Sequence, residues 1–464
     1  MPNQQLRCFT AYDVRGQVPE TFNEDIARCI GRAFAEHFDL KQVIIGHDMR
    51  LSSQAISQAL ADTLNAHGTD TIGLGLCGTE EVYFAAIEGE KRGIDGGIMV
   101  TASHNPADYN GMKLVLRGAR PVSGDSGLAE IAEKAAALLS SGTLHEHLSG
   151  QGSHQQQPSK QSYIDHLLSY VQPEQLPPLK LVVNAGNGCA GPVIDLLEPH
   201  LPFTFIKMHH QPDGTFPHGV PNPLLPEKRR ATAEFVRDHG ADLGLAWDGD
   251  FDRCFFFDET GRFIEGYYLV GLLASLILED HPGATILHDP RLIWNTQELV
   301  RRAGGKPVQT RTGHAFIKER MRRENAVYGG EMSAHHYFRE FGYCDSGMIP
   351  WLLVCSLLGR TGKKLSQLVD EAMAAYPVSG EINSKVDDPA AVLERVEQAF
   401  PGGEIDRTDG LSIAFADFRF NLRSSNTEPV IRLNVETRGN PELLREKTEE
   451  LLSLIRKGKK DAAA

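Results

Sequence analysis

Short apolar runs alternate with longer amphipathic segments along most of the chain. Runs of strand length include Gln42–Gly46, Gly96–Val100, Leu179–Asn184, Ala241–Trp247 and Ala284–His288. Between the first two runs, Ser52–Ala66 has the apolar spacing of a helix. Because this alternation is typical of α/β folds with a parallel or mixed sheet, we expect binding residues in the loops at strand ends.

The last part of the chain has a different pattern. Strand-like segments cover Phe415–Arg423 and Val430–Glu436, and a helical segment covers Pro441–Lys457. Together they predict a small α+β domain. The residues from Lys457 onward are predicted to be a frayed tail.

The 464 residues are too many for one hydrophobic core, so three or four domains are expected from length alone. The polar, Gly/Ser/Gln-rich stretch Gly142–Lys160 predicts a linker. Further breaks are expected at the turn Asp258–Gly261 and near Tyr376–Gly380. We therefore predict domains over residues 1–155, 156–258, 259–376 and 377–464.

Composition and charge restrict the class of protein. The chain has 47 Lys and Arg residues against 61 Asp and Glu residues, a net charge of −14. Nucleic acids and anionic membranes bind clustered positive charge, so neither is an expected partner, whereas an anionic small molecule needs only a local cluster. No signal peptide or membrane span is visible, which predicts a cytoplasmic protein. The seven scattered cysteines lack CxxC spacing, which argues against a disulfide framework or a zinc site.

The first segment with chemical potential is Thr101–Gly111 (TASHNPADYNG), directly after the apolar run GGIMV. Ser103 in this loop is a candidate nucleophile, His104 could orient its hydroxyl, and Lys113 could contact anionic oxygen. The G-x-S-x-G pattern of hydrolases is absent. Taken alone, the segment is equally compatible with a turn capped by Ser and Asn.

The second segment is Asp248–Arg253 (DGDFDR), after the apolar run LGLAW. Its three aspartates alternate, so a curled loop could direct all three carboxylates at a hard cation. An EF-hand would match Glu259 at its twelfth position, but Arg253 occupies the sixth position, where a sharp turn needs Gly. A solvated acidic turn would not explain three carboxylates at the end of an apolar strand. A magnesium site is the better interpretation.

Two further loops contain groups suited to sugars and phosphates. In Gly329–Tyr337 (GGEMSAHHY), Glu331 and Ser333 could bind vicinal hydroxyl groups, and the histidines could act as acid or base. In Arg423–Pro429 (RSSNTEP), an Arg fork with hydroxyl and amide donors is typical of a phosphate site without a Walker sequence. The basic residues Arg15, Arg291 and His314 lie in other loops. Each loop alone is also compatible with a structural role.

Taken in order, these motifs resemble those of the α-D-phosphohexomutase superfamily, in particular its bacterial phosphomannomutase branch. The resemblance extends from Tyr12–Gly16 (YDVRG) to Arg423–Pro429, and TASHNP is its most specific element. It implies four domains around a central cleft: three related α/β domains with mixed sheets and a C-terminal α+β lid domain.

The resemblance also implies a role for each matching residue. The implied metal ligands for Mg2+ are Ser103, Asp248, Asp250 and Asp252. The implied catalytic residues are Ser103, His104, Lys113, Arg15 and His335. The implied substrate-binding residues are Tyr12, Arg253, Arg291, His314, Glu331, Ser333, Arg423, Ser425, Asn426 and Thr427. Among them, Lys113 and His335 are the candidates for acid/base catalysis.

Two positions depart from the pattern of the superfamily. The common metal loop is DGDGDR, and Phe251 replaces its second Gly here. The common sugar loop is GEMSGH, and Ala334 replaces its Gly. The aspartates and the hydroxyl-binding residues are retained, so we expect altered loop packing with metal binding intact.

The reaction implied by the resemblance is a two-step phosphoryl transfer between O6 and O1 of a hexose. Phosphorylated Ser103 gives its group to a hexose monophosphate, the bound 1,6-bisphosphate turns around, and the other phosphate returns to Ser103. Mannose phosphates supplying GDP-mannose are the expected substrates of a monomeric enzyme, and a hexose 1,6-bisphosphate is the expected priming activator. The alternatives are a dual-specificity or glucose-preferring enzyme, an aspartyl-phosphate mechanism at Asp248, and a catalytically silent sugar-phosphate-binding protein.

Overall fold

The computed structural model describes residues 6–145, 150–157, 159–424 and 430–457. These residues form two compact units. The first unit continues to Phe263 and resumes over His335–Gly362. The second unit comprises Ile264–Ala334 and the chain from Lys363 onward.

The first sheet of the first unit has seven strands. They are β1 (Val14–Gln17), β2 (Gln42–His47), β3 (Asp70–Leu76), β4 (Gly96–Val100), β5 (Tyr109–Leu116), β6 (Arg120–Pro121) and β7 (His154–Gln156). The helices of this region are α1 (Glu24–Phe38), α2 (Ser53–Ala66), α3 (Thr79–Gly89) and α4 (Leu128–Ser141). The strand order is β1-β5-β4-β2-β3-β7, with β6 beside β5. β2 is parallel to β3 and β4, whereas β5 is antiparallel to β1 and β4, so the sheet is mixed.

The sequence explains why β4 ends where the TASHNP loop begins. All five residues of β4 are buried, as expected for a strand covered on both faces. α1 packs its apolar stripe into the core, and its first turn is capped by Asn23, whose side chain accepts a hydrogen bond from the Ile26 amide at 3.0 Å. The polar residues from Thr101 onward therefore begin at the end of a rigid strand.

The second sheet of the first unit is also mixed. The strands of this sheet are β8 (Lys180–Asn184), β9 (Thr204–Met208), β10 (Leu243–Trp247), β11 (Cys254–Phe257) and β12 (Phe263–Ile264). The helices of this region are α5 (Gln161–Leu168), α6 (Ala190–Leu197) and α7 (Arg230–His239). The strand order is β12-β11-β10-β8-β9. β10 is parallel to β8 and antiparallel to β11, so the DGDFDR segment is the tight connection between two paired strands.

The chain then enters the second unit and returns briefly to the first. The elements of the second unit are α8 (Gly266–Asp280), β13 (Thr285–His288), α9 (Trp294–Arg302), β14 (Lys306–Gln309), α10 (His314–Glu324) and β15 (Tyr328–Gly330). β13 is parallel to both β14 and β15. In the first unit, β16 (His336–Phe338) and β17 (Cys344–Asp345) form an antiparallel hairpin, followed by α11 (Ile349–Thr361).

The remaining elements belong to the second unit. They are α12 (Leu365–Ala375), β18 (Ile382–Lys385), α13 (Pro389–Ala399), β19 (Glu404–Asp406), β20 (Leu411–Ala414), β21 (Phe418–Ser424), β22 (Val430–Thr437) and α14 (Pro441–Arg456). The sheet order is β18-β22-β21-β20-β19, and each pair is antiparallel. Apolar residues of the sheet, α13 and α14 form one core.

The predicted fold class is confirmed: mixed α/β regions are followed by an α+β region built on an antiparallel sheet. The predicted linker is wrong in part. Within Gly142–Lys160, residues 154–156 form β7, which extends the first sheet by parallel pairing with β3. The seven cysteines, all within the described residues, are buried and free. Among the described helices, none combines the length and apolar character needed to cross a membrane.

Candidate active site

Ser103 lies just beyond β4 in an unusual backbone conformation. Its φ is +49°, in the left-handed region that non-glycine residues seldom adopt. The Ser103 amide donates to Thr101 Oγ1 at 2.9 Å, which helps to hold this conformation. The buried hydroxyl donates to Asp248 Oδ2 at 2.9 Å and lies 3.0 Å from His104 Nδ1. The two most specific segments of the sequence therefore meet at this hydroxyl group.

The three aspartates between β10 and β11 converge as predicted. One ligand atom from each of Asp248, Asp250 and Asp252 lies within 4.8 Å of the others, and all three residues are buried. Each carboxylate also has one buried oxygen that accepts no hydrogen bond from the described residues. Buried oxygens without donors are costly unless a cation binds them. Three carboxylates with such free acceptor positions suit a hard divalent ion such as Mg2+.

Two cations neutralise part of this acidic cluster. Lys113 Nζ donates to Asp250 Oδ2 at 2.7 Å and to Asp252 Oδ2 at 2.6 Å. Arg253 donates from Nε to Asp248 Oδ2 at 2.9 Å and from Nη2 at 2.5 Å. The geometry therefore gives every aspartate of the loop a basic partner.

The pKa values of these groups follow from burial and close charges. Burial opposes the ammonium form of Lys113, but the carboxylates of Asp250 and Asp252 raise its pKa above the ordinary value. Burial also opposes ionisation of Asp252, yet the charges of Lys113 and His335 lower its pKa. Burial raises the pKa of Asp248 to about 6, although the Arg253 charge opposes this shift. Lys113 is therefore a fixed positive charge in this site.

Two other predicted residues, His104 and Arg15, lie next to the serine. His104 is half-buried, and its Nδ1 accepts a hydrogen bond from Arg253 Nη2 at 2.5 Å. Burial and the Arg253 charge lower the pKa of His104 well below its usual range, so the ring is neutral. Arg15 donates to Asp13 Oδ2 at 2.9 Å and to the Ala102 carbonyl at 3.2 Å, next to Ser103. Tyr12 is half-buried and lies two residues before β1.

His335 joins the same cluster from a distant part of the sequence. Its Nδ1 lies 2.9 Å from Asp345 Oδ2, a carboxylate on β17 that is almost fully buried. One ligand atom each from Asp252, His335 and Asp345 lies within 4.8 Å of the others. A carboxylate that accepts the Nδ1 proton fixes the ring tautomer and its orientation. The first unit thus combines a serine, a carboxylate cluster and an oriented histidine.

A second group of predicted residues is assembled in the second unit around Arg291, which follows β13. Its Nη2 donates to Asp289 Oδ2 at 2.7 Å and to Ser333 Oγ at 3.3 Å. Glu331 Oε1 lies 3.7 Å from the same nitrogen, and Glu381 Oε2 lies 3.5 Å from Nη1. Burial opposes the charge of Arg291, but these carboxylates raise its pKa above the ordinary value.

Glu331 also accepts a hydrogen bond from the Gly313 amide at 3.2 Å, next to His314, the first residue of α10. Arg423 at the end of β21 donates to Thr312 Oγ1 and lies 3.3 Å from Asp409 Oδ2. Glu331, Ser333 and Arg291 therefore form one group, and Arg423 is linked to it through the Thr312–Gly313 segment next to His314. Ser425, Asn426 and Thr427 lie outside the described residues, and their predicted role stays a prediction.

Both departures from the superfamily pattern fall at left-handed positions. Phe251 has φ +44° and Ala334 has φ +70°, where glycine is the residue without steric penalty. Phe251 is fully buried, and its ring lies against Gly78, where an added Cβ would come within 2.1 Å. The altered packing expected for the metal loop is therefore a ring stacked on a glycine, with the aspartates unchanged.

Sequence reasoning missed several residues that hold the group around Ser103. Asp345, Thr79 and Arg50 are buried and contact predicted site residues or their loop. A repeated His-Asp-X-Arg pattern at His47–Arg50 and His288–Arg291 was a signal for one of them. Thr79 contacts Asp250, which is far from it in sequence, and no motif pairs Asp345 with His335 although the two are only ten residues apart.

Four family models match the chain in order. They describe domain I of phosphoglucomutase/phosphomannomutase at residues 6–140, domain II at 161–261, domain III at 265–376 and the C-terminal domain at 381–453.

Curated relatives and solved structures agree with these models. A phosphomannomutase of Salmonella montevideo is 58% identical over 97% of this chain and 99% of its own length. A Xanthomonas campestris protein named "Phosphohexose mutases" is also 58% identical, with the same coverage of 97% and 99%. A phosphoglucomutase/phosphomannomutase family protein from Burkholderia thailandensis superposes with a TM-score of 0.84 at 31% identity, covering 97% of this chain and 98% of that one.

Proposed function

The chain belongs to the phosphoglucomutase/phosphomannomutase family, and from that premise we propose that it interconverts mannose 6-phosphate and mannose 1-phosphate through phosphorylated Ser103. The observation that carries the proposal is the hydrogen bond of 2.9 Å from Ser103 Oγ to Asp248 within a buried cluster of three aspartates. A structural serine would not need a carboxylate cluster with unpaired oxygens around it.

The residues around Ser103 suit phosphoryl transfer, which depends mainly on positioning and charge stabilisation. Asp248, Asp250 and Asp252 would hold Mg2+ together with the phosphoserine, and the ion would neutralise charge on the phosphate oxygens. Arg253 and Lys113 are fixed positive charges within the same cluster. Arg253 would bind equatorial oxygens of the transferred group, and the charge of Lys113 would stabilise the negative charge that builds up on them.

We assign acid/base work to His335 in preference to Lys113. Lys113 Nζ donates to Asp250 and Asp252 and lies 3.2 Å from Thr79 Oγ1, so its donors are engaged in holding the carboxylates. The Asp345 carboxylate instead directs the Nδ1 proton of His335 to itself, which leaves Nε2 as the basic nitrogen. His335 would take the proton from the sugar hydroxyl that attacks the phosphoserine.

The second unit would supply the residues that hold the sugar phosphate. Glu331 and Ser333 are suited to paired sugar hydroxyls, while Arg291 and Arg423 are suited to the phosphate already on the substrate. The predicted donors Ser425, Asn426 and Thr427 would complete that phosphate site. After the first transfer the bound 1,6-bisphosphate turns around, so the same groups must bind the sugar in both orientations.

Ser103→Ala tests the nucleophile. We expect mutase activity to disappear, while hexose phosphate still binds in a calorimetric titration. Intact-mass analysis should find one phosphate on the wild type after incubation with glucose 1,6-bisphosphate, and none on the variant. Ser275→Ala on α8 is a matched control, because that hydroxyl donates to the Gly271 carbonyl of its own helix. Turnover near the wild-type rate in Ser103→Ala would overturn the serine mechanism.

Two further outcomes separate the alternatives. Phosphate on the protein that is labile to hydroxylamine would favour an acyl phosphate on Asp248, whereas an acid-stable phosphate favours Ser103. Binding of hexose phosphate without turnover, even after bisphosphate priming, would favour a silent binding protein.

The substrate is tested by the ratio of kcat/KM for mannose 1-phosphate and glucose 1-phosphate. A large preference for mannose supports a role in GDP-mannose supply. Comparable values would favour a dual-specificity enzyme, an alternative supported by the relative named "Phosphohexose mutases".

A further inference from the structure

Glu80 is a fully buried carboxylate that the proposed mechanism does not use. It is the second residue of α3, and both of its oxygens accept hydrogen bonds. Oε1 accepts from Tyr163 Oη at 2.6 Å and from Ser346 Oγ at 2.9 Å. Oε2 accepts from the Gly347 amide at 2.5 Å and from the Met348 amide at 3.2 Å. Four donors on two oxygens saturate the carboxylate and tie α3 to the turn before α11.

This turn, Ser346–Met348, is attached to the metal loop on its other side. Trp247, the last residue of β10, donates from Nε1 to the Gly347 carbonyl at 2.9 Å. A Cβ on Gly347 would come within 2.3 Å of the Phe251 carbonyl oxygen and 3.1 Å of the Arg253 amide nitrogen. Only a residue without a side chain can approach the loop so closely. Both peptide groups of Gly347 are therefore fixed, one by Glu80 and one by Trp247.

The same turn continues directly from Asp345, the carboxylate that orients His335. The Ser346 amide donates to the His336 carbonyl at 3.0 Å, which closes the β16–β17 hairpin beside His335. Thr79, the neighbour of Glu80, donates from Oγ1 to Asp250 Oδ2 at 2.6 Å. Two consecutive residues at the start of α3 thus hold the metal loop and the histidine hairpin.

We propose that Glu80 is a positioning residue that fixes the Ser346–Met348 turn against the metal loop and so sets the position of His335. The inference rests on the acid/base role proposed for His335. It predicts that a substitution of Glu80 lowers kcat by displacing His335, while the phosphoserine and its metal ligands stay in place.

Glu80→Gln is the variant of choice, because it keeps the volume and replaces one acceptor oxygen by an NH2 donor. Two of the four donors would then face a donor and must move. We expect kcat to fall by about 10- to 100-fold, as for other residues that orient a catalytic group, with a smaller change in KM. Glu88→Gln makes the same replacement at an exposed position of the same helix and should retain wild-type kinetics.

The decisive measurement is kcat in the His335→Ala background. If Glu80 acts through His335, Glu80→Gln causes no further loss there, because the group it positions is gone. An equal loss in both backgrounds, or wild-type kcat for Glu80→Gln alone, would overturn the inference. Tyr163→Phe removes one of the four donors and should show a smaller loss with the same dependence on His335. Tyr163→Phe replaces Glu80→Gln as the test variant if Glu80→Gln does not fold.

Failure of this inference can be told apart from failure of the proposed function. Normal turnover of His335→Ala would remove the acid/base assignment and this inference with it. The phosphoserine mechanism would be unaffected, since it depends on the result for Ser103→Ala.

Discussion

Two strand ends in different units of the molecule carry the same four-residue pattern. His47–Arg50 begins at the last residue of β2, and His288–Arg291 begins at the last residue of β13. In each, the His Nδ1 lies 2.9 Å from the carbonyl oxygen of the next Asp, and that Asp Oδ1 accepts from the Arg amide at 2.9 Å. The local sequence therefore produces the same turn twice.

The two arginines differ in what they face. Arg50 donates to the carbonyls of Ser103 at 2.9 Å, Asn105 at 2.6 Å, Pro106 at 2.6 Å and Tyr109 at 2.8 Å. Each arginine lies beside the aspartate of its own pattern, but Arg291 also lies beside the carboxylates of Glu331 and Glu381 and the hydroxyl of Ser333. The backbone carbonyls accept hydrogen bonds from the Arg50 guanidinium, so this arginine fixes the conformation of the Ser103 loop. The side chains around Arg291 can instead rearrange when a phosphate binds. The role of the motif is thus set by its surroundings.

The largest expected effect comes from replacing each arginine by lysine. A lysine cannot reproduce the fork of Arg50, so Arg50→Lys should lose about 2–3 kcal/mol of unfolding free energy, roughly one hydrogen bond to a charged group. Displacement of the Ser103 loop should lower kcat by about 100-fold. Arg291→Lys should instead lose about tenfold in kcat/KM with little change in stability. Urea unfolding measures the loss of stability in both variants, and steady-state kinetics measure the loss of activity. A greater loss of stability in Arg291→Lys than in Arg50→Lys would contradict the expected difference.

Stabilisation of the protein by Mg2+ should depend on residues of the first unit and not on Arg291 of the second unit. A ligand that binds only the folded state at 100 times its Kd stabilises by about 2.7 kcal/mol. We expect Mg2+ to raise the melting temperature of the wild type and of Arg291→Lys, because the metal ligands of the first unit are intact in both. Asp250→Asn should lose this response. An equal response to Mg2+ in Asp250→Asn would place the stabilising ion elsewhere.

The smallest expected effect is a pH dependence of stability at His288. Burial lowers the pKa of this imidazole, so the folded state favours the neutral ring while the unfolded ring protonates near pH ~6.5. The stability it contributes is present above that pH and is lost as the pH falls, by up to about 1.4 kcal/mol per unit. The urea midpoint of His288→Gln should therefore change less between pH 7 and 5.5 than that of the wild type. His47→Gln, at the half-buried equivalent, is the matched control.

The sequence was informative where the functional residues lie together in one short, continuous segment. TASHNP and DGDFDR are each continuous, so Ser103 and the three aspartates could be predicted from local patterns alone, and the apolar runs located β2, β4 and β10. The contacts of Glu80 could not be found in this way, because Tyr163 and Ser346 lie far from it in the chain. Asp345 lies only ten residues from His335, but no motif marks the pair. β7 was missed because its short, exposed sequence has no apolar alternation, and pairing with β3 alone makes it a strand.

Phe251 and Ala334 illustrate a further limit. A substitution of glycine is visible in the sequence, but the left-handed φ at both positions is not. Strain of this kind costs of order 1–3 kcal/mol and persists only where packing fixes the backbone. At Phe251 the ring stacked on Gly78 supplies that packing.

The return of the chain to the first unit at His335–Gly362 has a consequence for biosynthesis. Asp252 and His335 lie in one unit but are separated by the excursion Ile264–Ala334, which belongs to the other. During synthesis from the N-terminus, the metal loop emerges well before its histidine and the glycine that braces it. A nascent chain released before His335 would contain Ser103 and all three aspartates without the base. Capacity to accept a phosphate and capacity to complete turnover should therefore arise at different chain lengths.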